Sequence, residues 1–203
     1  MKKILALALL LLAMSFSICQ AAIDKTYNEQ NNRAIISSMN VTPATDLDPE
    51  SIIVVNLQKM YIFDSRLYDN SKNQYKPCNF FTIAIMGNAA EKFDKNMTYT
   101  VNGASYSLPL DVKIRQNEKK QTILSSGTYE FVNNGAKSNL WEALKAGKQV
   151  KILIPMKGKK TTLLKYTLEG KALEDMQQVV NYDLYNDAKF LDTVPKATKK
   201  PVK

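Results

Sequence analysis

The chain has 203 residues, a formal net charge of +9, two cysteines, seven glycines and no histidine. The missing histidine excludes Ser-His-Asp and Cys-His catalysis, His-based zinc and copper sites and the usual pH switch. So few glycines also leave no phosphate-cradling loop of the kind nucleotide chemistry needs, and no cofactor is expected.

Residues 1–21 read as an export signal: Lys2 and Lys3, the apolar run ILALALLLLAM, then SFSICQAA with Cys19 and Ala21 at the two positions that must be small. Cleavage after Ala21 would remove Cys19. Ile18 precedes that cysteine where a lipid-anchored protein would carry a small residue, so a periplasmic protein is expected rather than a secreted or lipid-anchored one. No later apolar stretch is long enough to predict a transmembrane span.

Residues 22–50 form a polar leader with one short helix expected over 29–38. Within it Asp46, Asp48 and Glu50 begin a calcium-loop spacing, but Pro49 stiffens the segment, Ser51 stands where glycine is needed and Leu57 where a bidentate acid is needed. No metal site is expected. A single β-rich domain is predicted over 51–192, opening with SIIVVNLQKMYIF, broken at Asn56 to Lys59, and followed by FFTIAIMG at 80–87. The polar connection between them, SRLYDNSKNQYKPCN, contains Cys78. Once Cys19 is gone this thiol has no partner in the chain, and it is either a core cysteine beside Phe80 and Phe81 or a reactive thiol.

MTYTVNGASYSL is the clearest local signal. Asn102-Gly103 suits a two-residue hairpin turn, because both positions tolerate positive φ. Pairing outward sets Val101 opposite Ala104, Tyr99 opposite Tyr106 and Met97 opposite Leu108 on one face, with hydroxyl residues on the other. A second hairpin runs from QVKILIPM to TTLLKYTL, and Lys157, Lys159 and Lys160 give it a basic tip able to meet an anionic surface. Between the hairpins SNLWEALKAGK predicts a helix over 138–146, with Ser138 as N-cap, Trp141 as core anchor and Gly147 as stop. Residues 170–186 carry apolar positions near period 3.6 and predict an amphipathic helix on the sheet. Residues 193–203, with Lys196, Lys199, Lys200 and Lys203 and no acid, read as a disordered basic tail, a second candidate for contact with an anionic envelope.

The end of the domain, from the helix LWEALKAGK through the hairpin to YTLEGKAL, resembles the invasion-associated locus B family of exported bacterial proteins. There a strand passes through a Ser/Thr-Leu-x-Gly pattern, here Thr167, Leu168 and Gly170, into a closing helix. The resemblance covers about 40 residues and implies a β-sandwich-like exported protein without known catalysis.

The residues and the resemblance lead to one expectation: an α+β, β-rich domain of antiparallel sheets, sandwich-like, with a role in binding or at the envelope through sheet edges and loops. A protein or envelope component is the expected partner. With three arginines in the chain and much of the positive excess at its two ends, nucleic acid is not. The alternatives are a toxin-immunity or enzyme-inhibitor protein, and a periplasmic hydrolase built on carboxylates such as Asp64, Asp94, Asp111 and Glu130.

Overall fold

The computed structural model describes residues 23–43, 51–87, 96–101, 104–109, 113–116, 122–130, 135–156 and 159–199. Twelve strands are seen among them: β1 (Asp24–Asn28), β2 (Arg33–Pro43), β3 (Ile52–Ile62), β4 (Tyr68–Asp69), β5 (Gln74–Tyr75), β6 (Pro77–Met86), β7 (Asn96–Val101), β8 (Ala104–Pro109), β9 (Lys113–Gln116), β10 (Thr122–Tyr129), β11 (Val150–Met156) and β12 (Lys159–Leu168). The helices are α1 (Gly135–Lys145), α2 (Gly170–Asn181) and the single turn α3 (Ala188–Leu191). One sheet has the order β1-β2-β3-β6-β10-β9 and a second β12-β11-β7-β8, with every pairing antiparallel; β4 and β5 form a small ribbon.

Period-two patterning explains the larger sheet. Ile53, Val55 and Leu57 of β3 and Phe81, Ile83 and Ile85 of β6 alternate into the core, while their neighbours face the other way. The helix α2 lies on β2 and β3 through Leu173, Met176, Val179 and Val180, and α1 adds Leu140, Trp141 and Leu144 to the same core. Val150, Ile152, Tyr166 and Leu168 bring the second sheet into it. The domain is α+β, β-rich and antiparallel, with the two sheets and the helices sharing one core. Among the described residues no helix is long and apolar enough to cross a membrane.

Both expected hairpins form. Val101 pairs with Ala104, Tyr99 with Tyr106 and Met97 with Leu108, and Val150 pairs with Leu168 and Ile152 with Tyr166. The turn residues Asn102 and Gly103 lie outside the described residues. In the second hairpin the register shifts between Pro155 and Met156, so Lys159 and Lys160 belong to β12 rather than to the turn.

Five expectations need correction. The helix expected over 29–38 is instead the β1–β2 hairpin: Asn32 turns the chain at φ 48°, and the Asn28 side chain accepts from the Asn31 N–H at 2.9 Å. Asparagine tolerates that left-handed backbone better than most residues, and β2 then buries Ala34 and Ile36 at every second position, a strand period. The leader is therefore part of the large sheet from Asp24 to Pro43. The break expected at Asn56 to Lys59 is absent, because Asn56 and Gln58 occupy the half-buried face of an unbroken strand. Helix α1 begins at Gly135, which places Ser138 inside it rather than at its cap. Gly147 ends it as expected, at φ 64°, with its N–H on Leu144 O and that of Lys148 on Ala143 O. Helix α2 stops at Asn181, not at 186, because Tyr182 turns extended and Asp183 caps a separate 3-10 turn over 184–186. The start of the basic tail is docked: Val194 and Ala197 are buried in the core.

Candidate functional site

The 3-10 turn after α2 faces the end of β3 and the ribbon β4–β5, and a cleft of about 430 Å³ opens between them. Lys59 and Tyr61 come from β3, Asp69, Lys72, Gln74 and Tyr75 from the ribbon, Lys76 and Pro77 from its exit into β6, and Asn181, Tyr182, Asp183 and Tyr185 from the end of α2 and the segment that leaves it. Such a volume suits a small organic ligand.

Tyrosine hydroxyls hold this region together. The Tyr61 hydroxyl donates to Tyr182 O at 3.3 Å and accepts from the Leu184 N–H at 3.1 Å. That of Tyr185 accepts from the Tyr75 N–H at 2.7 Å and donates to Ala197 O, and that of Tyr75 donates to Lys199 O at 3.2 Å. Tyr61 meets Tyr185 edge to face, and Phe63 and Tyr68 pack against Tyr75 in the same way. Burial pushes the Tyr61 phenol up to about 12, so it remains a hydrogen-bond donor across the ordinary pH range. Outside this ring of tyrosines, Asp187 accepts from Lys25 at 2.6 Å and from the Tyr182 hydroxyl at 2.8 Å. The Lys25 ammonium also lies 5.0 Å from the centre of the Tyr182 ring. The Lys25 hydrogen bond, followed by those from the Phe190 N–H and Tyr182, lowers the Asp187 carboxyl to about 2.

Lys59 is the least expected member. Its position in β3 points it inward, and only 8% of it is exposed. The ammonium donates to Val180 O at 2.9 Å, at the carbonyl end of α2, where the helix dipole favours a cation. Burial lowers its pKa below the ordinary lysine value, opposed by the charges of Glu130 and Asp183, while Lys145 adds to the lowering. The carboxylates of the cleft are engaged locally. Asp69 accepts from the N–H and hydroxyl of Ser71, its hydroxyl bond being the main cause of a lowered pKa, and lies 3.8 Å from Lys76. Asp183 accepts from the Tyr185 N–H with one oxygen and from the Asn186 amide with the other.

Next to Lys59 in register is Asn79, whose amide donates to Glu130 at 2.6 Å; Glu130 in turn accepts from Lys145 at 2.5 Å. This chain ties β6, β10 and α1 together. The outward face of the large sheet is unlike either region: Val41, Val54 and Ala84 lie in one cross-strand row and Ile52, Met86 and Ile123 in the next, all half-buried, with Met39 47% exposed nearby.

The residues singled out from sequence do not converge. Cys78 is half-buried on that outward face, paired in register with Met60, and burial followed by the charge of Glu130 pushes its thiol up to about 11, so little thiolate exists near neutrality. Lys157 and Lys200 lie outside the described residues, and Lys159 and Lys160 open β12. Lys196 donates to the Asn32 side chain, and Lys199 contributes its carbonyl to Tyr75, so both help to dock the tail. Of the carboxylates considered for hydrolysis, Asp64 is engaged by Arg66 and Glu130 by Asn79 and Lys145, while Asp94 and Asp111 lie outside the described residues. Among the described residues no group of three Cys, Asp or Glu could hold a metal. The cleft residues were missed because they come from two stretches, 59–77 and 181–185, more than a hundred residues apart; the one sequence signal is the density of tyrosines at 61–75 and 182–185. Comparison with known proteins found no matching family model, no similar curated protein and no similar solved structure.

Proposed function

We propose that the chain is an exported, non-catalytic binding protein whose ligand sits in the Lys59–Tyr185 cleft. The carrying observation is that the cleft has room for a ligand while both of its carboxylates are tied to neighbours on their own loops. Proton transfer at a glycosidic bond needs one carboxyl held protonated by its surroundings. Asp69 is shifted the opposite way, and its partner across the lining, Asp183, has both oxygens occupied. The presence of two carboxylates in one lining is the observation that favours the hydrolase alternative. The resemblance of residues around Thr167, Leu168 and Gly170 to the invasion-associated locus B family is in keeping with export and with a non-catalytic role.

Native mass spectrometry of the protein purified from exporting cells tests both halves. A chain beginning at Ala22 that carries a non-covalent adduct, lost when Gln74→Trp fills the cleft, supports the proposal. An uncleaved chain overturns export. Hydrolysis of nitrophenyl glycosides that is abolished by Asp69→Asn or Asp183→Asn overturns the non-catalytic role.

A further inference from the structure

Lys59 has three N–H donors and, among the described residues, one hydrogen-bond acceptor, Val180 O. More than nine-tenths of the residue is buried, yet it lines the cleft. An ammonium held out of water with donors to spare is costly unless an acceptor comes to it. Among the described residues no side chain of the cleft is hydrogen-bonded to that ammonium: Asp69 takes Ser71 and lies near Lys76, and Asp183 takes Tyr185 and Asn186.

The charge of the ligand follows from the lining. Lys59, Lys72 and Lys76 stand against Asp69 and Asp183, an excess of one positive charge. A monoanion balances it, whereas a dianion would leave repulsion from the two aspartates unmatched. Bidentate phosphate recognition is also poorly served where no arginine stands among the described lining residues. Tyr182, Tyr185 and Pro77 offer apolar wall to the remainder of the ligand.

We propose that the cleft takes a small organic monocarboxylate with an apolar, ring-sized body, and that its carboxylate is received by the spare donors of Lys59. This rests on the reading of the cleft as a ligand site. Lys72 and Lys76, both exposed, contribute attraction at the rim.

The test uses benzoate as probe, benzamide as its neutral isostere and inorganic phosphate as the competing anion, with binding followed by ligand-observed NMR at low salt. Benzoate is expected to bind at millimolar concentration or below, and Lys59→Met and the change to benzamide are each expected to weaken binding about tenfold or more, the worth of a hydrogen bond to a charged group. Lys72→Gln is expected to weaken it by about two- to threefold. Where Lys59→Met fails to fold, acetylation of the intact wild-type protein with peptide mapping decides instead: benzoate must slow modification of Lys59 while leaving exposed Lys148 unchanged. Equal binding of benzamide and benzoate, with Lys59→Met unaffected, overturns the anion assignment and leaves the binding reading standing. Phosphate binding through Lys59 in preference to benzoate overturns the monocarboxylate. No benzoate binding, with an adduct still retained on the protein from cells, overturns this inference alone; loss of that adduct too removes both.

Discussion

The cleft end of the molecule and the outward face of the large sheet are built from the same strands in opposite ways. At the cleft, β3 presents Lys59 and Tyr61 to a segment more than a hundred residues away, and directional bonds to backbone groups set the position of that segment. On the outward face, Val54 and Ala84 lie side by side in register, and position there is set by the sheet itself. The first arrangement is sensitive to single atoms, the second to area. Side-chain geometry is better held by the first, because a bond that names its partner tolerates little displacement.

The contrast can be broken most severely from inside the core. Leu57→Ala, at a fully buried position of β3, is expected to cost about 2–5 kcal/mol, while Val54→Ala on the outward face of the same strand is expected to cost about 1 kcal/mol or less. Urea denaturation of the two variants measures the difference, and equal losses would mean that the outward face is covered. Tyr61→Phe leaves the buried Leu184 N–H without its acceptor and is expected to cost about 1–3 kcal/mol, with faster amide exchange confined to residues 182–199. Exchange that rises equally in β6 would deny that the tyrosine acts on this segment alone.

Two smaller tests sharpen the picture. At Gly127 a Cβ would come within 2.4 Å of the Phe80 ring, which lies across the glycine and stacks on Tyr129 with centroids 4.3 Å apart. Gly127→Ala is expected to displace that ring at a cost of about 1 kcal/mol or less, the exposed site leaving it room to move, with the displacement read from the Phe80 and Tyr129 ring-current shifts and the cleft left untouched. Asp187 gives a pH signature. Its folded pKa, near 2, lies below the unfolded value, so its contribution is present above the unfolded pKa and is lost as pH falls toward 2. Asp187→Asn should therefore lower the urea midpoint slightly at pH 7, and the gap between variant and wild type should close as the solution is acidified.

Much of the sheet could be read in advance because its cause is local. Asn102-Gly103 and the alternation around it set the β7–β8 register, and the second hairpin followed from the same period. The β1–β2 hairpin was hidden because its turn uses Asn32 in place of glycine and its strand carries Ser37, Ser38 and Asn40, which read as polar linker. The docked tail was hidden for the converse reason. Its lysines dominate the composition, but Val194 and Ala197 do the packing and two backbone carbonyls make the bonds, and carbonyls leave no mark on a sequence. Nor does Lys59 announce itself among 28 basic residues; it became visible once α2 placed a helix end above β3.

The tyrosine bonds to the last segment also impose an order on assembly. They span 121, 110 and 124 residues. Closing loops of that length gains nothing until both ends are available. A polypeptide emerging N-terminus first can pair β1, β2, β3 and β6 while the cleft still lacks a wall. The cleft is therefore the last part the molecule completes, and a chain truncated before Asn181 should retain its strands while lacking one whole side of that cleft.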